Sequence, residues 1–327
     1  MRSTGSPRCR HHGRRHAKCG SLASAATDAA AARFSFNLRP DETIASRMIA
    51  TPIPRETLLH VVKQLPAAPR IMSQLGQLLL DPNSDMGEIT ELLRRDTALT
   101  VRIIRISNSV YYNPGQPYGS LDEALARVGY MEVYRLVGLA AVSQLADHDL
   151  ALYGIAGATL RENSLLTALL MESLASRVGM DTKVAYTAGL LRSVGKVALD
   201  RLTRNGSYNG RYRGRENGRL GDWETQFIGM SNCEAAAVIL KEWRFPLATI
   251  AAIQQQYLVV PGAPPLAQLL NLAAGAAERG GHGLPGESDY WSGGVAACRD
   301  LDLDEEQVDD ALRQGLESFG PLRAAVS

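Results

Sequence analysis

Residues 85–106 read DMGEITELLRRDTALTVRIIRI. Asp85 stands three residues before Glu88, the spacing of a capping box, in which each side chain satisfies a backbone N–H left unpaired at a helix start. The helix so begun carries Ile89, Leu92 and Leu93 along one face. Asp96 can cap a second helix, with Leu99, Val101, Ile103, Ile104 and Ile106 following. Upstream, Ile71, Leu75, Leu78 and Leu79 recur at helical spacing and stop at Asp81-Pro82, where the missing proline N–H ends a helix. Further back, Leu58, Leu59, Val61, Val62 and Leu65 form a short apolar stretch that ends at Pro66. Downstream the second helix runs out at Asn108-Ser109, and Tyr112-Asn113-Pro114-Gly115 forms a turn. Ser120 and Glu123 repeat the box spacing ahead of Leu121, Leu125 and Val128. Longer helical runs follow: 133–145, apolar on most sides and therefore central, then 163–178, 184–202 broken near Gly195, 235–243, 247–259, 265–277 and 305–316. Strict period-2 alternation, the mark of a half-buried strand, is hard to find. The expected fold is all-α, with about a dozen helices.

Composition bounds the function classes. The chain has 327 residues and 35.3 kDa, enough for one large domain or two modest ones. Its 45% hydrophobic and 21% charged content suits a packed core. A net charge of +1 excludes a surface built throughout to attract nucleic acid or anionic lipid. The charge is uneven: residues 1–33 carry seven Arg or Lys against Asp28 alone, with almost no large apolar side chains. That is the composition of a disordered basic tail. Residues 34–57, with Pro40, Pro52 and Pro54, read as a linker. The four cysteines, at 9, 19, 233 and 298, are too scattered for a disulfide framework. No stretch is long and apolar enough for a transmembrane helix, and the basic start lacks a Leu-rich secretory core, so a cytoplasmic location is expected. Residues 204–222, rich in Gly, Asn, Arg and Tyr, and residues 279–294, with six glycines, read as flexible surface loops.

Several short segments recur in a linked order: Leu65-Pro66-Ala67-Ala68-Pro69, Leu80-Asp81-Pro82, Arg95-Asp96-Thr97-Ala98-Leu99, Ile106-Ser107-Asn108-Ser109 with Tyr111-Tyr112, and Ser120-Leu121-Asp122-Glu123-Ala124 leading to Val128-Gly129. The series continues through Gly189-Leu190-Leu191-Arg192-Ser193-Val194-Gly195-Lys196, then Glu234-Ala235-Ala236-Ala237 and Trp243-Arg244-Phe245-Pro246. Together these resemble the HDOD domain, a bacterial relative of the HD phosphohydrolases, over roughly 58–278. The resemblance implies an N-terminal helical part (58–150) and a degenerate HD-like part (151–278); residues 279–327, beyond it, read as a Gly-rich loop with a C-terminal helix. The resemblance also implies a role in signal transduction without an established catalytic activity.

HD phosphohydrolases hold divalent metal with His and Asp, which activate a water and polarise a phosphoryl oxygen. The resemblance places those ligand positions on Asn163, Arg192-Ser193, Asn232 and Gln256-Tyr257. Amides are weak ligands, and Arg192 would repel a cation. No metal, cofactor or catalytic residue is therefore expected. Arg192 and Lys196, four residues apart, read first as a solvated or salt-bridged pair and otherwise as candidate contacts for a small anionic ligand or an acidic partner side chain. Asp96, Asn108, Ser109 and Gly195 match the family pattern and are expected to act structurally, by capping and turn chemistry.

Other motifs carry less. His148-Asp149 is an HD dipeptide outside the matching context, expected at a helix end or on the surface. Cys9, His11, His12, His16 and Cys19 match no usual zinc spacing. Gly189 to Lys196 has one residue too many for a phosphate loop, and Val197 follows where Ser or Thr would hold magnesium. Cys233 has no neighbouring His in sequence, and Ser109 and Ser164 lack a nucleophile elbow. The expectation is a non-catalytic regulatory module that docks a signalling protein in trans. One rival is a metal-dependent phosphohydrolase acting on nucleotides or cyclic dinucleotides. Another is a nucleic-acid binder using the tail and the 204–222 loop, where Tyr208 and Tyr212 interleave with a charge balance of +4 over 204–219.

Overall fold

Many of the helices start where the sequence supplies a capping side chain, at Asp85, Asp96, Ser120, Asp181 and Ser231, or a proline, at Pro69, Pro246 and Pro265. In the computed structural model, which describes residues 55–327 except 80, 82, 114, 205–209, 259, 261, 292–293 and 327, the first helices are α1 (Arg55–Gln64), α2 (Ala68–Leu78), α3 (Met86–Arg94), α4 (Thr97–Ser107), α5 (Leu121–Val128) and α6 (Tyr130–Leu145). Next come α7 (Gly157–Arg177), α8 (Thr182–Leu191), α9 (Val194–Arg204), α10 (Leu220–Phe227), α11 (Asn232–Glu242), α12 (Leu247–Gln254) and α13 (Pro265–Ala277), then α14 (Gly294–Asp300) and α15 (Glu305–Val326). The fold is all-α: among the described residues the only β pairing is an isolated bridge between Leu150 and Ile155.

The caps behave as their chemistry requires. Asp85 accepts from the Glu88 N–H at 2.9 Å and Asp96 from the Leu99 N–H at 2.9 Å. Ser120 accepts from the Glu123 N–H at 3.2 Å, but Glu123 reaches back past the cap to the Gly119 N–H at 3.1 Å. A reciprocal box forms instead at Ser231 and Glu234, at the start of α11. Asn108 follows α4 and pins the next loop: it accepts from the Tyr118 N–H at 2.6 Å and donates to the Tyr118 carbonyl at 3.0 Å. The Ser109 hydroxyl is buried without a hydrogen-bond partner.

Helices α2 to α6 pack together around Leu75, Ile89, Leu93, Leu99, Ile103 and Leu125. The longer α7 lies along α8, α13 and α15, and α9 lies against α11. Two glycines set those distances. A Cβ on Gly195 would stand 1.8 Å from the Asn232 carbonyl oxygen, and one on Gly189 would stand 2.7 Å from the Ala168 Cα. Only glycine lets these backbones approach so closely.

Three expectations need correction. The 204–222 stretch is not all loop: it holds a short 3-10 turn at 214–217 and the start of α10. Tyr212 is buried against Trp223, with ring centroids 5.2 Å apart, because Trp223 on α10 offers an apolar face. The 279–294 stretch is not a surface loop either, since Leu284 and Glu287 are buried within it. Finally, α14 was not expected at all, and α15 extends to Val326, with Pro321 inside it.

Candidate functional site

The positions assigned to degenerate metal ligands converge in the interior. Arg192 directly follows α8 and Lys196 lies in the first turn of α9. Asn163 lies on α7, Asn232 opens α11, and Gln256 and Tyr257 sit just beyond α12. Both cationic side chains are completely shielded from solvent. A buried charge is tolerated only when it is paired and hydrogen-bonded, and here the partner comes from the 279–294 stretch. Glu287, itself 1% exposed, accepts from Arg192 Nη2 at 2.6 Å through Oε2 and from Lys196 Nζ through Oε1. The Tyr257 hydroxyl donates to Oε1 at 2.6 Å and lies 2.8 Å from Lys196 Nζ.

The rest of the guanidinium is taken up as well. Arg192 Nη1 donates to Asn163 Oδ1 at 2.7 Å and Nε donates to Gln256 Oε1 at 3.0 Å. Both amides are fixed from behind. Asn163 Nδ2 donates to the His282 carbonyl at 2.7 Å, and Gln256 Nε2 donates to the carbonyls of Arg192 at 3.1 Å and Ile253 at 3.2 Å. The Arg192 guanidinium carbon lies 5.5 Å from the Trp291 ring centroid, and Tyr257 stacks on Tyr290 with centroids 4.2 Å apart.

A second buried carboxylate lies alongside. Glu224 on α10 accepts from the Asn232 backbone N–H at 2.8 Å, from Asn232 Nδ2 at 2.9 Å and from the Tyr153 hydroxyl at 2.7 Å. Asn232 therefore gives both its backbone and side-chain N–H groups to Glu224 and makes no hydrogen bond to Arg192. Burial raises the Glu224 carboxyl above its ordinary range, and Lys196 partly offsets this. Burial also acts to raise Glu287, but Arg192 and Lys196 outweigh it and hold that carboxyl down at about 2. Burial pushes the Cys233 thiol up to about 12, which suits a core residue and not a thiolate nucleophile.

These groups do not fit a metal centre. Two cations occupy the space, the amides are committed to Arg192 or Glu224, and among the described residues no three His, Cys, Asp or Glu are grouped to hold an ion. Arg192 and Lys196, read as a solvated or salt-bridged pair or as candidate anion contacts, are salt-bridged to the chain's own Glu287. Ser193 is buried and takes no side-chain part. Gly195 serves by its lack of a side chain, and Asp96, Asn108 and Ser109 lie in the N-terminal half, outside this network. His148-Asp149 is exposed, after α6. The tail residues Cys9, His11, His12, His16 and Cys19, and Tyr208, lie outside the described residues.

Sequence reasoning missed Glu287, Glu224, Tyr153 and Trp291. One signal pointed to the first: two cations on helices that otherwise read as core demand an anion, and Glu287 is an acidic residue between aromatic and glycine positions.

The molecule is similar to solved structures of low sequence identity. An HDOD domain protein from Geobacter sulfurreducens matches with TM-score 0.58 and 22% identity, covering 84% of this chain and 98% of its own. A candidate phosphohydrolase from Shewanella amazonensis matches with TM-score 0.55 and 22% identity, covering 83% and 98%. A candidate signal transduction protein from Marinobacter aquaeolei matches with TM-score 0.60 and 19% identity, covering 83% of this chain and 64% of its own. No curated protein matches the chain by sequence. The HDOD domain model matches residues 65–259, more than half of the sequence, over the helices that build the buried network, and the chain belongs to the HDOD domain family.

Proposed function

We propose that this chain is a non-catalytic regulatory module that acts by binding a signalling or regulatory protein. The observation that carries the reading is the Arg192–Glu287–Lys196 network. It gathers positions that the family resemblance assigns to metal ligands, and its ion pairs support reading the site as one whose groups neutralise one another instead of activating water. The surface offers the contacts for such binding. Val101, Val110, Tyr111, Leu247, Leu258 and Val260 are large apolar side chains left exposed, and contacts of that kind support docking of another protein. The nucleic-acid reading loses part of its basis, since Tyr212 is buried and Arg204 pairs with Asp200 at 2.7 Å. No described helix is long and apolar enough to cross a membrane, and a cytoplasmic setting is proposed with that reading.

The test pairs two measurements on purified full-length chain. Metal analysis with a panel of phosphate esters is expected to find neither stoichiometric metal nor turnover. Affinity capture is expected to recover a signalling or regulatory protein that Leu247→Glu or Val110→Glu releases. Stoichiometric manganese, iron or zinc together with ester hydrolysis would replace this reading with the phosphohydrolase.

A further inference from the structure

We propose that Arg192, Lys196 and Tyr257 form an oxyanion site whose resident is the chain's own Glu287, and that a small phosphate or carboxylate ligand takes that place by displacing the strap of residues 283–291. The proposal deepens the non-catalytic reading, because the site is taken to bind and not to turn over.

Two of the three donors are placed independently of the carboxylate they hold, while the third, Tyr257, follows α12 and stacks on Tyr290 of the strap. Arg192 is fixed through Asn163 and Gln256, at 2.7 and 3.0 Å, and Lys196 is fixed by its position in the first turn of α9. Three donors (Arg192 Nη2, Lys196 Nζ and Tyr257 OH) converge on the two Glu287 oxygens. A planar carboxylate or one face of a phosphate presents oxygens at the same spacing, and a guanidinium beside an ammonium suits either. The acceptor side is different in kind. Glu287 belongs to a segment with no α-helix, entered at Gly283 and preceded by Gly286 at φ +81°. Apart from Glu287, it is held by side-chain contacts: Ser288 Oγ to Glu278 Oε1 at 2.5 Å, the Gly221 N–H to Tyr290 OH at 2.9 Å, Asn271 Nδ2 to the Tyr290 carbonyl at 3.1 Å, the stacking of Tyr290 on Tyr257, Trp291 against Arg192, Arg219 over Tyr290 and buried Leu284. With Glu287 withdrawn, two interior cations stand against Glu224 alone, so the vacated space demands an anion. Whether that anion is the strap or a ligand is then decided by effective concentration.

The experiment uses full-length wild type, Glu287→Ala and Glu287→Ala/Arg192→Met. Each is titrated with sodium phosphate or sodium formate against sodium chloride at matched ionic strength. Two readouts are taken: melting temperature, and chymotrypsin cleavage after Tyr290 and Trp291. In Glu287→Ala, phosphate and formate are expected to raise the melting temperature saturably while chloride does not. Half-saturation should lie at least about tenfold below wild type, because the intramolecular competitor is gone. Adding Arg192→Met should abolish the effect. In wild type, high phosphate should increase cleavage of the strap several-fold over chloride. If phosphate and formate act on Glu287→Ala only as chloride does, the oxyanion site is refuted. If wild-type cleavage is unmoved by phosphate, displacement is refuted, and this measurement decides alone should Glu287→Ala fail to fold. Neither result alters the metal, hydrolysis or partner-capture assays, so failure here leaves the regulatory reading standing, and ester hydrolysis there would overturn that reading without moving these curves.

Discussion

Replacing Glu287 by Gln keeps the shape of the side chain and removes its charge. The cost follows from two independent routes. The carboxyl is held at about 2 against an ordinary 4.5, and at 1.36 kcal/mol per pH unit this corresponds to about 3 kcal/mol of stabilisation of the ionised form. Removing one partner of a buried ion pair costs about 3–5 kcal/mol in general. Both figures are a large share of the 5–15 kcal/mol that typically separates folded from unfolded states. The sign with pH is fixed by the direction of the shift. Because the folded-state value is depressed, the contribution is complete above about pH 4.5 and is lost as pH falls through about 2. The gap between wild type and Glu287→Gln should therefore be about 3 kcal/mol at pH 7 and about 1 kcal/mol at pH 3. Glu224, shifted the other way by burial, is present in both proteins and largely cancels in the difference. Urea unfolding at pH 7, 5 and 3, extrapolated to water, measures the gap directly. Equal midpoints at pH 7, or a gap undiminished at pH 3, would refute the assignment of Glu287 as the ionised partner of two cations.

Gly195→Ala should destabilise by more than about 3 kcal/mol, since the new Cβ meets a backbone oxygen at 1.8 Å that no rotamer change can relieve; thermal unfolding checks it. Asp96→Ala should cost about 1 kcal/mol through loss of the bond to the Leu99 N–H, read from the urea midpoint. Tyr257→Phe should cost about 1–3 kcal/mol, because it withdraws one of three donors from a buried carboxylate, again by urea unfolding. The triple change Arg192→Met, Lys196→Met, Glu287→Leu should be neutral or stabilising by about 1–4 kcal/mol, in contrast to its single components, by the same measurement.

The helices were legible because their signals are local. Asp85, Asp96 and Ser120 cap where the spacing placed caps, and Pro66 and Pro82 fall beyond α1 and α2 as helix stops. The two helices that were missed, α10 and α14, are eight and seven residues long and sit in glycine-rich surroundings. Two turns give too few apolar positions to establish a period. At the site, Asn163, Arg192 and Gln256 converge as the family positions implied, whereas Asn232 turns to Glu224. Glu287 was illegible for a physical reason. It is 91 and 95 residues from its two cations and lies in a segment without periodicity, so only the charge balance of the core called for it. Composition alone read that segment as a surface loop, because glycine content reports backbone freedom and says nothing of what the chain packs against.

The arrangement separates two ways of using the same helical cavity. A catalytic metal site must keep one coordination position free for water or substrate, and so carries unsatisfied valence by design. Around Arg192, Lys196 and Glu287 every charged heavy atom has a partner: each of the three guanidinium nitrogens has an acceptor, the lysine has a carboxylate and a phenol, and both carboxylate oxygens have donors. Such a network contributes little net stability compared with a well-packed apolar core, because desolvation offsets most of the Coulomb gain. Its value lies in position. Arg192, at the end of α8, can be satisfied only if α7, the turn after α12 and the 283–291 strap all stand in register, since each supplies one of its partners. A displaced strap leaves buried cations unpaired, at a cost that neither of the other two elements can absorb. The network therefore couples the placement of the C-terminal segment to the integrity of the helical core, which is a property that a protein read by its surface can use and an open metal site cannot supply.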